Sequence, residues 1–364
     1  MMAWKSALSL SESTLQVTLG GPGEPVTEIG ATLPVLDLSA AGKGGGPAPH
    51  TMQASASGGG GFVEARQDGE ILEGLPLHGV GDGMTLSAAY RTGEPAHLSL
   101  DIESLHQKAS RPVLVPVSLS IEATYADDDI AFVARMGDTS GNLVIDIAGN
   151  HNPIRGQGFG ALTLHPILFV DGGFQPGRLS PHFNSRLGLT TGTVSMAGPL
   201  AWSDKGIASE VVMTVESLST TFDDVAVVGV NAAITFDQLL PPGTPPGQLI
   251  SLAGIDLGLP LTQGLVSMRL DRNGLPLVEN SQWQWAGGKV GASFSRGVGP
   301  DDEGEERLVL EIDGVELDNL LELTPQGTNI EASGTLYGRI PVVFRGGEFV
   351  IVGGWLESSF EGGY

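Results

Sequence analysis

Apolar and polar residues alternate one by one along most of this chain, and this period of two constrains the fold more than any other feature. Residues 98–103, for example, read Leu-Ser-Leu-Asp-Ile-Glu. Successive side chains of a β-strand point to opposite faces, so such a segment predicts a strand with one apolar and one polar face. The pattern recurs at Leu15, Val17 and Leu19; Leu119, Ile121 and Ala123; Leu143, Ile145 and Ile147; Val211, Met213 and Val215; Val266, Met268 and Leu270; and Leu308, Leu310 and Ile312.

Helical patterning is scarce, and turn residues are frequent. Only residues 316–323 and a stretch around residues 179–187 suggest short helices. Turn sequences such as Gly-Asp-Gly at 81–83 and Asp-Arg-Asn-Gly at 271–274 separate the strand segments at short intervals. This spacing favours antiparallel hairpins and meanders. We therefore predict an all-β fold with one or two short helices.

Two stretches interrupt the alternation. Residues 40–61 are rich in Gly, Ala, Ser and Pro, a composition that predicts a flexible excursion. Residues 241–247 read Pro-Pro-Gly-Thr-Pro-Pro-Gly, which is too rich in proline for an interior strand. We interpret this second stretch as a rigid surface connection between sheet segments.

Many one-faced strands with almost no helix leave a long apolar sheet face that something has to cover. A second sheet, closure into a barrel, stacking of solenoid coils and a bound apolar ligand are all physically sufficient. Periodicity does not distinguish among these solutions, although a packed core is the commoner one. The nature of the cover therefore decides between a structural role and an apolar binding role.

Composition excludes several classes of function. The 364 residues carry a formal charge of −24, which disfavours a nucleic-acid partner because phosphates require Lys and Arg. The chain has no cysteine, so disulfides, thiolate metal sites and cysteine nucleophiles are impossible. No apolar run reaches the length of a membrane-spanning helix, and the first residues do not resemble a secretory signal.

A search for catalytic chemistry yields no candidate site. The seven histidines show no HExxH context, and His165 in a strand-like run is best interpreted as a packed or edge residue. Asp127-Asp128-Asp129 lacks the pattern of a calcium loop and predicts a solvated turn. Residues 156–160, Gly-Gln-Gly-Phe-Gly, lack the context of a phosphate-binding loop. We predict no catalytic residue, no cofactor and no metal site.

Several stretches of the chain resemble one known family. Residues 234–237 (Ile-Thr-Phe-Asp) precede Pro-Pro-Gly-Thr-Pro-Pro-Gly-Gln at 241–248, and Trp-Gln-Trp-Ala-Gly-Gly follows at 283–288. Residues 169–181 and 332–342 continue the likeness. Together they resemble the C-terminal region of the YdbH family of AsmA-like intermembrane phospholipid transport proteins. The resemblance is strongest over residues 155–364, and residues 1–154 would form the N-terminal part of the same structure.

The resemblance implies a fold and a function. The implied fold is a long, strongly twisted antiparallel sheet curled into an open U-shaped trough, as in AsmA and TamB relatives. The implied function is periplasmic transport of phospholipid between inner and outer membranes, with acyl chains sliding along the apolar groove. An inner-membrane anchor absent from this chain and a small outer-membrane lipoprotein, joined by strand addition at the C-terminal end, are the implied partners. The chain would then be a fragment of a longer protein.

Two sets of residues follow as candidates. The predicted lipid groove consists of Leu143, Ile145, Ile147, Val211, Met213, Val215, Ile234, Phe236, Val266, Met268, Leu270, Leu308, Leu310 and Ile312. The predicted partner strand consists of Phe349, Ile351 and Trp355. Trp283 and Trp285 share one face and either contact acyl chains or pack against the glycines that follow. The alternatives are a structural or adhesive β-sandwich or solenoid with a dry core, and a binding protein for a small solute such as a dicarboxylate.

Overall fold

The structure is a computed structural model that describes most of the chain. The described residues are 3–19, 26–43, 51–67, 70–71, 79–91, 94–107, 115–203, 206–223, 225–239, 241–256, 260–296, 306–323, 332–345 and 348–359. They belong to two compact units. Unit 1 consists of Met1–Leu187 and Ser195–Val211, and unit 2 of Gly188–Val194 and Val212–Tyr364.

Unit 1 is built from an antiparallel meander. Its strands are β1 (Ala3–Leu19), β2 (Val26–Lys43), β3 (Thr51–Gln67), β4 (Glu70–Ile71), β5 (Gly79–Arg91), β6 (Ala96–Gln107), β7 (Val117–Ala126), β8 (Asp129–Gly137), β9 (Val144–Asn152), β10 (Gln157–Phe169), most of β11 (Thr191–Ser203) and β12 (Gly206–Ser209). Each long strand from β1 to β10 pairs antiparallel with the next one, and β4 adds a short extra pairing to β3. β12 pairs with the end of β11.

Unit 2 repeats this construction. Its strands are β13 (Val211–Phe222, all but its first residue), β14 (Val225–Phe236), β15 (Gln238–Leu239), β16 (Pro242–Gly243), β17 (Gln248–Asp256), β18 (Pro260–Leu270), β19 (Pro276–Trp285), β20 (Gly288–Arg296), β21 (Glu306–Glu316), β22 (Thr335–Arg345), β23 (Glu348–Ile351) and β24 (Trp355–Ser358). The long strands from β14 to β22 pair antiparallel in order, while β15 and β16 form a small separate hairpin.

The strand predictions and one of the two helix predictions are confirmed by the described residues. Every alternating segment named above lies in a strand, except that Leu143 lies one residue before β9. The helix predicted at 316–323 is α1 (Leu317–Glu322). The stretch around 179–187 instead contains a 3-10 turn at Pro181–Ser185, preceded by another at Pro176–Arg178. The fold class is thus all-β, with a large antiparallel sheet and one short α-helix.

Two predictions of irregular structure differ from what the structure has. Residues 40–43 end β2 and residues 51–61 begin β3, although the whole stretch 40–61 was predicted to be flexible; residues 44–50 lie outside the described residues. Small side chains do not prevent strand pairing, because the ladder is made by backbone groups. The turn predicted at 81–83 lies inside β5, where Gly83 has a positive φ of 65° and bends the strand locally.

The described contacts within each unit join mainly neighbouring strands of the sheet, together with the short turns, the β15–β16 hairpin and α1. Within the described residues, no helix is long and apolar enough to span a bilayer.

Candidate functional site

Strand register brings the apolar residues of unit 1 into continuous rows across the sheet. One row crosses nine strands and reads Leu10, Leu36, Ala56, Leu86, Leu100, Ile121, Ala134, Ile147 and Leu162. A second row is displaced from the first by two residues on each strand. It reads Met84, Ile102, Leu119, Met136, Ile145 and Leu164. From Leu100 to Leu162 in the first row and from Ile102 to Leu164 in the second, residues paired in this way lie about 5 Å apart on one face and form continuous apolar surface.

The opposite face of unit 1 has a different character. The row one residue away from the nine-strand row reads Ser9, Asp37, Ser55, Ser87, Ser99, Glu122, Val133, Ala148 and Ala161. Its first six members are polar or charged, and Val133 is 55% exposed. The sheet of unit 1 therefore has one apolar and one mainly polar face, as the alternation predicts.

Unit 2 shows the same division between its two faces. One row reads Ala232, Ile250, Val266, Ser281, Ala292, Leu310 and Ile340. The adjacent row on the opposite face reads Asn231, Ser251, Leu265, Gln282, Gly291, Glu311 and Arg339. Leu265 is the one large apolar residue of that polar row and is 48% exposed.

The predicted groove residues separate into two groups. Five of them are buried, namely Leu143, Val211, Val215, Ile234 and Phe236. The other nine are only partly buried, namely Ile145, Ile147, Met213, Val266, Met268, Leu270, Leu308, Leu310 and Ile312. This partly buried group, apart from Leu270 at the end of β18, defines what we call the open bands of the apolar faces. The same alternation also marks Leu100, Ile121, Ile250 and Ile340, which lie in the rows described above.

One end of the unit 1 sheet is covered by the chain itself. Beyond the row that contains Ile145, the buried side chains of Ile167, Phe169 and Phe174 lie where the chain leaves β10. The rings of Phe169 and Phe174 stack with centroids 6.2 Å apart. The backbone N–H of Val115 donates to the carbonyl of Leu179, which joins the 3-10 segment to the chain just before β7. We call this the closed end of unit 1.

The other end of the same strands carries an aromatic cluster. Trp202 on β11 donates its indole N–H to Nδ1 of His151 at 3.0 Å, and the two rings stack 6.2 Å apart. Its ring centroid lies 5.9 Å from that of Phe132, which belongs to the apolar face. A Cβ at Gly158 would lie 2.4 Å from the indole, so the ring occupies the place of a side chain there. Gly158 belongs to the glycine-rich stretch 156–160, but the sequence did not indicate that Trp202 lies over it.

The proline-rich stretch of unit 2 is fastened to one end of its sheet. Thr244 is buried; its hydroxyl oxygen accepts the N–H of Leu270 at 2.8 Å. The backbone N–H of Gly247 donates to the Glu279 carboxylate at 2.8 Å, and the same carboxylate oxygen accepts the Ser267 hydroxyl. Thr244 and Gly247 are therefore hydrogen-bonded to the end of the sheet, as expected for a connection between sheet segments.

The predicted partner strand lies at the last edge of unit 2. β23 and β24 pair with opposite halves of β22 and are separated by Gly353 and Gly354, both with positive φ. Ile351 is 65% exposed and Trp355 is 52% exposed, while Phe349 pairs with Phe344. The predicted single strand is therefore two short strands, because the two glycines interrupt it.

The polar face of unit 1 carries the clearest charged cluster of the described residues. Arg135 and His165 both contact the Asp146 carboxylate, at 2.7 and 2.8 Å. The Arg135 guanidinium, and then the His165 ring, hold the pKa of the Asp146 carboxyl well below its usual range. A shallow depression on the same face is lined by polar side chains such as Ser99 and Thr124 and by apolar ones such as Ala131 and Val133. The cluster is solvent-accessible and has the character of a surface ion pair.

The motifs that were considered for ion chemistry have structural roles. Asp127 and Asp128 form the tight β7–β8 turn with positive φ, and Asp128 accepts the hydroxyl of Tyr125 at 3.2 Å. Asp129 accepts the side-chain amide of Asn152. Across the part of the chain that the structure describes, no group of three or more His, Asp and Glu side chains converges as a metal site.

These features define a class of protein. Each unit, in its described part, contains an antiparallel sheet with one mainly apolar face and one more polar face. The family described as intermembrane phospholipid transport protein YdbH matches residues 94–364. The chain belongs to this YdbH-like family.

The family match extends beyond the motifs. It begins at residue 94 and so includes β6 to β9, upstream of the region with the strongest motif resemblance. No curated protein and no solved structure matches the chain. The family is one of lipid transport proteins and not an enzyme family, and transport between membranes places its members in the cell envelope.

Proposed function

We propose that the open bands hold phospholipid acyl chains while the lipid crosses the periplasm between inner and outer membranes. The single observation that carries this proposal is the continuity of the apolar rows from strand to strand. An acyl chain lying across the strands meets apolar side chains at every step and needs no residue-specific chemistry. Family membership supplies the occupant, since phospholipid is the cargo that the family description names.

The energetics favour such an occupant. Burying one CH₂ group contributes about 0.8 kcal/mol, so an acyl chain of roughly 16 carbons gains about 12 kcal/mol relative to water. The formal charge of −24 disfavours attraction to anionic membrane surfaces, so contact with lipid depends on apolar burial. A dry sandwich core, the main alternative, would bury the band residues as fully as Val211, whereas Val266 and Leu310 are only partly buried.

A pair of neighbouring substitutions tests the proposal. Val266 belongs to the open band and Leu265, one residue earlier on β18, points to the opposite face. We expect Val266→Lys to reduce co-purified phospholipid strongly, because a charge in the band interrupts the apolar path. We expect Leu265→Lys to leave bound phospholipid unchanged. Lipid is measured by mass spectrometry of the purified full chain, and folding by circular dichroism.

Three outcomes would count against the open band. A wild-type chain free of phospholipid and resistant to lipid photocrosslinking would remove the proposal altogether. Unfolding of Val266→Lys would show that the position is closed core. Equal loss of lipid in Leu265→Lys would show that the effect does not depend on the face.

We further propose that a small outer-membrane lipoprotein adds a strand at β23 and β24. The apolar side chains of Ile351 and Trp355 at this last edge support strand addition. Because the chain has no cysteine, Ile351→Cys introduces one thiol for crosslinking in cells. We expect a crosslinked adduct with a lipoprotein, and none for Phe159→Cys, an equally exposed position on β10. Equal crosslinking at both positions would contradict the partner site.

The inner-membrane anchor is the remaining partner that we propose for the full-length protein. It rests on the family resemblance, and residues 1–364 would extend from it into the periplasm. Membrane fractionation of the full-length gene product checks this placement. Recovery in the soluble periplasmic fraction would contradict it.

A further inference from the structure

Trp202 occupies an unusual position on the apolar face of unit 1. Its indole lies over Gly158 of the β9–β10 hairpin, against Phe132 on one side and His151 on the other. Gly149 and Gly160, which pair with each other, lie on the same face beside this cluster. A glycine in a strand offers no side chain to pack, so the indole fills space that these positions leave empty.

The hydrogen bond to His151 satisfies the polar group of the Trp202 indole. The indole N–H is the only polar group of a tryptophan side chain, and here it donates to Nδ1 of His151 at 3.0 Å. Trp202 is nevertheless only partly buried. The accessible part of the ring is therefore hydrocarbon surface, next to the open band.

Unit 2 contains the same arrangement. A Cβ at Gly264 would lie 2.1 Å from the ring of Trp283, which is also partly buried. Gly264 pairs with Leu252 and so lies on the apolar face of unit 2. A tryptophan whose only role was to fill the space above a glycine could do so on either face of a sheet. In both units the indole lies on the apolar face and stays accessible there.

We propose that Trp202 is a positioning residue for the cargo: an acyl chain lies against its indole where the open band of unit 1 reaches the aromatic cluster. His151 and Gly158 hold the ring in the orientation that this contact requires. The ligand class is the linear hydrocarbon of a phospholipid. The inference rests on the proposed function and adds the residue that the chain contacts.

Fluorescence quenching by brominated lipid tests this contact directly. In a full-length chain with Trp4, Trp283, Trp285 and Trp355 replaced by Phe, Trp202 is the only indole. We expect dibromo-acyl phosphatidylcholine to cause a marked loss of its emission, and the unbrominated lipid to cause none. A merely structural tryptophan would not respond to bromine on the acyl chain.

A matched control is the chain that retains only Trp355. This residue pairs with Arg339 on the polar row and is exposed, so its emission should remain when brominated lipid binds. Binding itself is followed by co-elution of a labelled phospholipid. If lipid co-elutes and Trp202 is quenched no more than Trp355, the positioning role is wrong while the proposed function stands. If no lipid co-elutes with the wild-type chain, the proposed function fails first.

Fluorine NMR provides a second measurement if the multiple substitutions prevent folding. The native sequence is labelled with 5-fluorotryptophan, and Trp202→Phe assigns the resonance of Trp202. We expect phospholipid with a nitroxide on its acyl chain to broaden this resonance and that of Trp283, and to leave that of Trp355 sharp. A sharp Trp202 resonance in the lipid-bound protein would overturn the inference.

Discussion

The closed end and the open band of unit 1 use the same kinds of residue on the same strands, yet they differ in what covers them. Ile167 and Phe169 at the closed end are buried, and the ring of Phe174 from the segment that follows β10 stacks on Phe169. Ile145 and Ile147 in the open band are only partly buried, although they lie on the neighbouring strand. The difference reflects chain connectivity, since the chain returns onto its own strand at the closed end.

This contrast separates stability from binding. Full burial of a large apolar side chain contributes about 1.5–3 kcal/mol, and partial burial contributes proportionally less. The closed end can therefore stabilise the sheet of unit 1, while we expect the open bands to keep apolar surface available for a ligand. A transport groove needs both, because a band that was fully packed would have no room for an acyl chain.

The largest expected effect on stability is at the closed end. Phe169→Ala should lower the free energy of unfolding by about 3–5 kcal/mol, since it removes a buried ring that stacks on Phe174. Phe159→Ala on the same strand should change it by less than about 0.5 kcal/mol, because Phe159 is 64% exposed. Ile147→Ala in the open band should cost about 1–2 kcal/mol. Chemical denaturation of each variant measures these changes.

The order of these three values matters more than their size. If Ile147→Ala destabilised the protein as much as Phe169→Ala, the band would be a packed core and the contrast would disappear. If added phospholipid raised the stability of the wild type but not of the Ile147 variant, the assignment of the band would be sharpened.

A smaller effect is expected where the proline-rich connection covers the end of unit 2. Thr244→Val keeps the shape of the side chain but leaves the N–H of Leu270 without its hydroxyl acceptor, at a cost of about 1–2 kcal/mol. The control is Thr262→Val on β18, the strand that contains Leu270. It should be nearly neutral, because Thr262 is exposed and its hydroxyl contact with the carbonyl of Gln284 is long, 3.5 Å. A neutral Thr244→Val would mean that this connection is not held by the hydroxyl.

The strands and their apolar faces could be predicted from the residue pattern. Alternation such as that at Leu308, Leu310 and Ile312 depends only on the two-residue repeat of an extended backbone, which tertiary context does not alter. The stretch 40–61 was misjudged for a related reason. Its small residues carry no face pattern, but backbone ladders form without one.

The predicted groove residues differ in how far they are buried, and the residue pattern did not indicate this difference. Val211 and Met213 have the same parity on β13, yet Val211 is fully buried and Met213 is not. The difference in burial between these two side chains depends on which elements pack beside each one. The local sequence pattern contains no information about those elements.

For this chain, local sequence is sufficient to specify an all-β fold, the apolar face of each strand and a proline-rich joint, because these follow from backbone geometry and proline chemistry. The continuous nine-strand row, the closed ends and the indole of Trp202 over Gly158 required the folded structure. They depend on strand register and on where a connecting segment returns, which are long-range properties. The alternation therefore predicted an apolar face, and tertiary contacts determined which part of it stays open.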